Sequence, residues 1–217
     1  WKNKIKSGRT VTDFVTFPDI APTILDLTGI PIIDQMTGKS FKKQLLTDKN
    51  GRIDSGRNHT LLGKERHDIG RVEGDKLSVS YPVRAIRTDQ YLYVKNFIPS
   101  RWPVGNPEYG LLNCDNSPTK SHLISLKDDK KNVGYYDMNF GKRPEEELYN
   151  VIKDPDCVVN LASNLVYSKI KDSLWLSLKS KLIEHQDPRI MGKGEIFDYY
   201  PYSRIPRQQK LYNKSDY

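Results

Sequence analysis

Five consecutive ionisable residues of both signs follow an apolar stretch in the first half of the chain: Lys64, Glu65, Arg66, His67 and Asp68. Their cations could bind an anionic group, since arginine offers a planar pair of N–H donors and lysine and histidine offer further donors. The two carboxylates could accept hydrogen bonds or orient those cations. The same residues also fit a solvated strand end, where exposed ion pairs stabilise the fold very little. Residue types alone leave both interpretations open.

A predicted β-strand over residues 59–63 comes directly before the charged cluster and would hold it at one end of a sheet. A hairpin is predicted further along, with strands over 83–87 and 91–97 and a polar turn at 88–90. Side chains of its second strand alternate in polarity, as expected where one face is wetter. A short fourth strand is predicted over 147–151.

A short helix is predicted within the stretch TFPDIAPTILDLTGIPI. Thr16 or Asp19 can cap its start, and Gly29 can end it because glycine readily adopts the left-handed conformation found there. Three apolar residues recur at helical spacing on one face: Ile20, Ile24 and Leu27. The following residues, 34–58, are polar and rich in turn formers, and they are predicted to form a loop.

The longest predicted helix covers residues 163–185 and is amphipathic. Apolar residues recur every four positions along it and indicate one buried face: Val166, Ile170, Leu174, Leu178 and Leu182, with Leu165 and Ile183 beside them. We expect this face to pack on an antiparallel sheet. Together the elements predict an α/β protein.

Two other stretches show little periodicity. Residues 98–145 hold many turn formers, and a segment of that length is usually functional or packed over a surface. Residues 189–217 form a basic, tyrosine-rich tail, which we expect to lie on the protein's own surface. Basic and aromatic residues together can also bind single-stranded nucleic acid, but no recognised nucleic-acid module accompanies them, so no nucleic-acid partner is predicted.

Charge and composition narrow the functional classes. The 217 residues carry a formal charge of +8, which favours an acidic polysaccharide, a nucleic acid or a membrane surface as partner, although an ordinary basic surface is an alternative. The sequence contains no apolar run of 18 residues, so it predicts no membrane-spanning helix. Cys114 and Cys157 are the only cysteines; they exclude a disulfide scaffold and leave free thiols and a single bridge both open.

Common catalytic signatures are absent from the sequence. It contains no GxSxG, no P-loop, no GxGxxG after a strand and no HExxH. His59 and His67 are eight positions apart, a spacing that defines no metal site. The sequence therefore predicts no metal ligands in this chain.

Two motifs in the chain resemble those of type I sulfatases. The first is the family's V-(S/T)-x-x-D-(I/L)-x-P-T-(I/L)-L-(D/E) helix, followed by a glycine, a proline and a G-x-S loop. The second resembles its ELYDLxxDPxExxNLA pattern. Together they carry the resemblance over residues 3–187. The matching residues are Val15, Asp19, Ile20, Pro22, Thr23, Ile24, Leu25, Asp26, Gly29, Pro31, Gly38, Lys39, Ser40, Glu147, Leu148, Tyr149, Asn150, Asp154, Pro155, Asn160, Leu161 and Ala162.

Within that family, the chain resembles the branch related to heparan N-sulfatase (sulfamidase). Many bacterial polysaccharide sulfatases share the segment that carries this resemblance. That branch carries a histidine-containing stretch followed by YP(V/M)R(A/S)(I/V), and this chain has Tyr81-Pro82-Val83-Arg84-Ala85-Ile86.

The resemblance implies the C-terminal part of an alkaline-phosphatase-like α/β fold. Residues 1–58 would be the end of the large domain. Residues 59–188 would form a small subdomain, with a four-stranded antiparallel sheet packed by a long helix. Residues 189–217 would be the basic tail.

The resemblance also implies a mechanism whose central groups lie upstream of Trp1. Sulfatases hydrolyse sulfate esters or sulfamates with a formylglycine made from the cysteine of C-x-P-S-R, beside a calcium ion held by Asp and Asn oxygens. Neither Cys114 nor Cys157 lies in such a motif. We therefore expect no catalytic residue here, calcium ligands and formylglycine upstream, and a chain that is inactive without the N-terminal part of the same protein.

The family's smaller subdomain leans over the mouth of the catalytic pocket, which gives the charged cluster an expected role. Arg66 could hold a sulfate or uronate, while Lys64 and His67 could donate to sulfate oxygens or sugar hydroxyls. Glu65 and Asp68 could accept from hydroxyls or orient the cations. The substrate-binding residues predicted are Lys64, Glu65, Arg66, His67 and Arg84.

The implied partner is a sulfated polysaccharide such as a glycosaminoglycan, and the implied location is periplasmic or secreted. Two rival functions remain open. One is a phosphodiesterase or phosphonate hydrolase of the same superfamily, and the other is a non-catalytic module that binds anionic glycans.

Overall fold

A computed structural model describes residues 1–76 and 78–201. The strands are β1 (His59–Lys64), β2 (Val83–Thr88), β3 (Tyr91–Asn96) and β4 (Glu146–Asn150). The helices are α1 (Ile20–Thr28), α2 (Lys42–Leu46), α3 (Pro118–Ser125), α4 (Val133–Phe140), α5 (Ser168–Glu184) and α6 (Ile196–Tyr199).

The four strands form one antiparallel sheet in the order β1-β2-β3-β4. Each strand therefore pairs with its neighbour in sequence, an arrangement that antiparallel strands reach without a crossover helix. The predicted strands are confirmed, each to within one residue at either end.

Helix α5 packs on this sheet, as predicted. The rings of Trp175 on α5 and Tyr93 on β3 lie 6.3 Å apart between centroids. Lys171 Nζ lies 2.9 Å from a carboxylate oxygen of Glu146 on β4. Leu178 and Leu182, one turn apart on the predicted stripe, are buried, so the apolar repeat of the sequence identifies the face that is covered.

The start of this helix was predicted five residues too early. Leu165–Tyr167 form a 3-10 turn, in which the side chain of Asn164 accepts a hydrogen bond from the backbone N–H of Val166. Leu165 and Val166 are 87% and 83% exposed. The local cap turns these two side chains away from the sheet, and the stripe is buried only further along α5.

The second family motif stabilises the turn after β4. Asn160 Oδ1 accepts hydrogen bonds from the backbone N–H of Leu148 at 2.9 Å and of Ala162 at 2.9 Å. The Asp154 carboxylate accepts from the backbone N–H groups of residues 158 and 159. The conformation of this turn thus depends on an amide and a carboxylate that accept backbone donors.

The first family motif stabilises the loop after α1. Asp19 accepts from the backbone N–H of Lys39 at 2.7 Å and from Arg57 Nη1 at 2.9 Å. Asp26 Oδ2 accepts from Ser40 Oγ at 2.6 Å. Burial opposes ionisation of Asp19, but its hydrogen bonds outweigh burial and lower its pKa.

The segment 34–58, which was predicted to be a loop, contains more helical structure than expected. It contains α2 and a 3-10 turn at Ser55–Arg57, both too short to show a periodicity in the sequence. Gly38 packs against the 3-10 turn Phe17–Asp19 that precedes α1. A Cβ added at Gly38 would lie 2.0 Å from the carbonyl oxygen of Pro18. Only glycine fits this approach.

The apolar face of α1 is largely exposed. Ile20 and Ile24 are 43% and 55% exposed, whereas Pro22 and Thr23 are the buried residues of the helix. Five further apolar residues around α1 are exposed as well: Val15, Phe17, Ile30, Ile32 and Ile33.

The segment 98–145, in which no helix was predicted, contains α3 and α4. Each of the two helices has only eight residues and weak amphipathicity, which is why the sequence pattern missed them. Their core consists of Leu111, Tyr136 and Phe140, with Val104, Cys114 and Leu123 packed against it.

The described residues form two compact units. The first comprises Trp1–Leu61 and Ile86–Tyr91, and the second comprises Leu62–Ala85 and the described residues from Leu92 onward. The predicted division after residues 58 and 188 stays a prediction, and residues 202–217 of the predicted tail lie outside the described residues.

No disulfide joins Cys114 to Cys157. None of the helices in residues 1–76 and 78–201 is long and apolar enough to span a bilayer.

Candidate functional site

The charged cluster lies where the sequence predicted it, at the end of β1. Lys64 is the last residue of the strand, and an irregular segment follows it. The backbone N–H of Tyr81 donates to the Glu65 carbonyl at 2.8 Å, and Asn113 Nδ2 donates to the Asp68 carbonyl at 3.1 Å. Beyond the cluster, Ile69 is buried. The cluster is thus anchored at both of its ends.

Glu65 and Arg84, both predicted from sequence, are brought together by the fold. Arg84 Nη2 lies 2.8 Å from Glu65 Oε1, and Arg84 Nε lies 2.7 Å from Asp187 Oδ2. Arg189 donates to Glu65 through both Nε and Nη2, the shortest distance being 2.9 Å. All four side chains are at most 15% exposed. Their first role in this fold is therefore to bind one another.

A second group of charges continues this network through Ser80, which is fully buried. Ser80 Oγ accepts from Arg189 Nη2 at 2.7 Å and donates to Asp198 Oδ1 at 2.5 Å. Arg101 pairs with Asp198 at 2.9 Å and with Glu73 at 2.5 Å. Three guanidinium groups thus face four carboxylates, so the network neutralises its own cations.

The pKa values of the network follow from these pairs. Burial disfavours the charged form of Arg84, but Asp187 and Glu65 outweigh burial and raise its pKa. Burial likewise opposes ionisation of Asp198, but hydrogen bonds from Ser80 and Arg101 lower its pKa. Both groups therefore remain ionised at neutral pH.

The other three predicted residues retain donors that the protein does not use. Arg66 donates to the backbone carbonyls of Ser78 at 3.2 Å and Tyr200 at 2.6 Å. Across residues 1–76 and 78–201, neither the Lys64 ammonium nor the His67 ring has a hydrogen-bond or ion-pair partner. His67 is exposed and Lys64 is half-buried. Burial lowers the pKa of Lys64, and the charge of Arg71 lowers it further.

The arrangement divides the cluster by chemistry. Glu65 and Arg84 belong to a neutralised network, whereas Lys64, Arg66 and His67 carry donors that this network does not use. Such donors can hold an anionic or hydroxyl-rich ligand through charge-assisted hydrogen bonds. Whether each of the five residues contacts a ligand stays a prediction.

Sequence reasoning missed five charged members of the network: Glu73, Arg101, Asp187, Arg189 and Asp198. Arg101 fell in the stretch without periodicity, and Arg189 and Asp198 fell in the predicted tail. The only signal in the sequence is the run of charges around HQDPRI after the long helix, which does not specify partners.

The residues that the structure describes do not suit a calcium site. Among them, no group of three or more His, Cys, Asp or Glu side chains is arranged to hold a metal ion.

No protein-family model matches the chain. Two curated relatives do, and both are ulvan-active sulfatases of Formosa agariphila. One is 26% identical over 233 aligned residues, which covers 100% of this chain and 41% of the relative. The other is 28% identical over 167 residues, covering 76% of this chain and 24% of the relative. The chain thus spans less than half the length of these relatives.

Two solved structures share the fold. One is BT4656 in complex with its substrate D-glucosamine-2-N,6-O-disulfate, with a TM-score of 0.54, 17% identity, and coverage of 87% of this chain and 28% of that one. The other is BT33494S-sulf of Bacteroides thetaiotaomicron, which is associated with the metabolism of multiple glycosaminoglycans. Its TM-score is 0.52, its identity is 18%, and the match covers 92% of this chain and 33% of that one.

Proposed function

We propose that the chain is part of a type I sulfatase, an enzyme that hydrolyses sulfate esters or sulfamates of a glycan, because two curated sulfatases align with it. The observation that carries the proposal is the alignment of the entire chain with an ulvan-active sulfatase. Within that enzyme, we assign this chain a substrate-binding role at the rim of the catalytic pocket.

The exposed apolar residues around α1 support a role within a larger protein. Phe17 is 89% exposed, and Ile24, Ile30 and Ile33 are each more than half exposed. Large apolar patches of this kind usually mark a surface that another protein segment covers. The rest of the sulfatase large domain, namely the N-terminal part of the same protein, is the proposed cover.

In this proposal Lys64, Arg66 and His67 contact the glycan, and Glu65 and Arg84 hold them in position. The argument is electrostatic. Arg84 is already neutralised by Asp187 and Glu65, so it has little charge to offer a further anion. The Lys64 and His67 side chains carry unused donors at the strand end, where a ligand can reach them.

The chemical step itself is assigned to groups outside this chain. A formylglycine hydrate would supply the nucleophile, and calcium would stabilise charge on the sulfate, as the family resemblance implies. This chain's own residues would bind and orient the sugar. The proposed substrate is a sulfated polysaccharide of the ulvan or glycosaminoglycan type, and the proposed location is periplasmic or secreted.

The test compares two substrates in the complete sulfatase that contains this chain. His67→Ala should reduce kcat/KM for a sulfated oligosaccharide roughly ten- to a hundredfold, since a lost charge-assisted hydrogen bond to an anion costs about 1.5–3 kcal/mol. A small aryl sulfate does not reach the rim, so its turnover should change little. Arg66→Ala should likewise reduce kcat/KM for the oligosaccharide while changing turnover of the aryl sulfate little.

His122→Ala is the matched control, because His122 is an exposed histidine on α3. It should leave both substrates unaffected. An equal loss for glycan and aryl sulfate would place His67 in contact with the reacting sulfate and contradict the rim assignment. Hydrolysis of phosphate diesters in preference to sulfate esters, or no hydrolysis by the complete protein, would overturn the sulfatase assignment.

A further inference from the structure

A cavity of about 220 Å³ lies in the second unit, next to the ion-pair network. Its walls are formed by Arg71–Glu73, by Ser100–Trp102 with Asn106, and by Lys142. The volume is several times that of one water molecule, about 30 Å³, and lies below the roughly 300–1,000 Å³ of pockets for drug-sized ligands. It therefore suits a single small ring.

Lys142 carries a positive charge at this cavity that no carboxylate of the described residues neutralises. Its Nζ lies 5.0 Å from the centroid of the Trp102 ring, a cation–π distance. Lys142 has no hydrogen-bond or ion-pair partner among the described residues, and the Trp102 indole N–H has no acceptor among them either. An unused cation, an unused donor and an aromatic ring thus meet at one place.

The remaining cationic side chains of the cavity are already committed to the fold. Arg101 is paired with Glu73 and Asp198. The fully buried Arg71 donates to the backbone carbonyls of Trp102 at 2.6 Å and of Pro103 at 2.9 Å. These bonds fix the backbone that carries Trp102, so the cavity wall is held in place before a ligand arrives, which reduces the cost of binding.

We propose that this cavity binds one acidic sugar residue of the glycan, and this inference rests on the proposed function. The apolar face of a sugar ring would pack on the Trp102 indole, and its sulfate or carboxylate would pair with Lys142. Ser100 and the half-exposed Glu73 carboxylate would bind its hydroxyls. Arg101 and Glu73 are paired within the network, so Lys142 supplies a positive charge to the lining.

The cavity is close enough to the charged cluster for one oligosaccharide to reach both. His67 and Val72 are five residues apart, so their Cα atoms are separated by at most about 18 Å. A chain of a few sugar rings can therefore contact His67 with one residue and Trp102 with another. The cavity would select for longer acidic chains.

The experiment measures binding of heparin and ulvan tetrasaccharides to the 217-residue chain by calorimetry and by NMR of the Trp102 indole N–H. A Trp102→Phe sample assigns that resonance. At least one tetrasaccharide should shift it, and Lys142→Gln should weaken binding of that ligand roughly tenfold. A desulfated, carboxyl-reduced tetrasaccharide should bind no better to the native chain than to Lys142→Gln.

Lys179→Gln is the matched control, since Lys179 is an exposed lysine on α5. If Lys142→Gln and Lys179→Gln weaken binding equally, the effect is general charge and the proposal fails. It also fails if no tetrasaccharide binds, or if binding leaves the Trp102 resonance unmoved. These outcomes are independent of sulfate release by the complete protein, so the sulfatase assignment is tested separately.

Discussion

Replacing Glu65 by glutamine tests the buried network most directly. The Glu65 carboxylate accepts from Arg84 Nη2 at 2.8 Å and from Arg189 Nε and Nη2 at 3.0 and 2.9 Å. A glutamine has one accepting oxygen, and its amide N–H₂ would face a guanidinium donor. Arg84 would keep Asp187, whereas the side chain of Arg189 would keep, among the residues that the structure describes, only Ser80 Oγ and the Phe197 ring.

The expected loss is large because Arg189 would remain buried without a countercharge. Its side chain is 7% exposed, and removal of one partner from a buried ion pair costs about 3–5 kcal/mol of unfolding free energy. With an m-value near 3 kcal/mol/M, the urea midpoint should fall by about 1–2 M. Trp102 and Trp175 fluorescence in a Trp1→Phe background follows the second unit.

Glu145→Gln is the control for this measurement. Glu145 pairs with Lys95, but its side chain is 66% exposed, so the change should cost at most about 1 kcal/mol. Equal midpoints for the Glu65 and Glu145 variants would refute the argument that Glu65 is the countercharge that the buried Arg189 needs. A double change with Arg189→Gln should be less harmful than the sum of the two single changes.

Two further outcomes concern stability. Leu178→Ala should lower the free energy of unfolding by about 2–5 kcal/mol, since Leu178 is fully buried on α5, while Lys179→Ala should stay within about 0.5 kcal/mol; equal urea midpoints would show that the wrong face is buried. Asp198→Asn should destabilise at pH 6, and this deficit should shrink as the pH falls below about 4. The folded pKa of Asp198 is lowered, so its stabilisation is present above about pH 4 and is lost as the pH falls through that lowered value. A stability difference between Asp198→Asn and the native chain that does not change with pH would contradict this prediction.

The candidate site was only partly predictable. The position of Lys64–Asp68 at a strand end follows from the sequence, because strand and turn residues are local signals. The division of labour within it does not. Glu65 meets Arg189 across 124 positions, and no local pattern records such a contact. Reading the charges as one binding cluster therefore overlooked that two of the predicted residues, Glu65 and Arg84, are neutralised internally.

The sequence by itself determined the strands, the buried face of the long helix and the family motifs, because these depend on side-chain periodicity and on short-range hydrogen bonds. The motif residues Asp19, Asp154 and Asn160 each accept backbone donors within 20 positions. Only the tertiary structure decided which cations remain unpaired. Charge neutralisation depends on distances of about 3 Å between side chains from remote segments, and the chain must fold before Lys64, His67 and Lys142 can be distinguished from the arginines beside them.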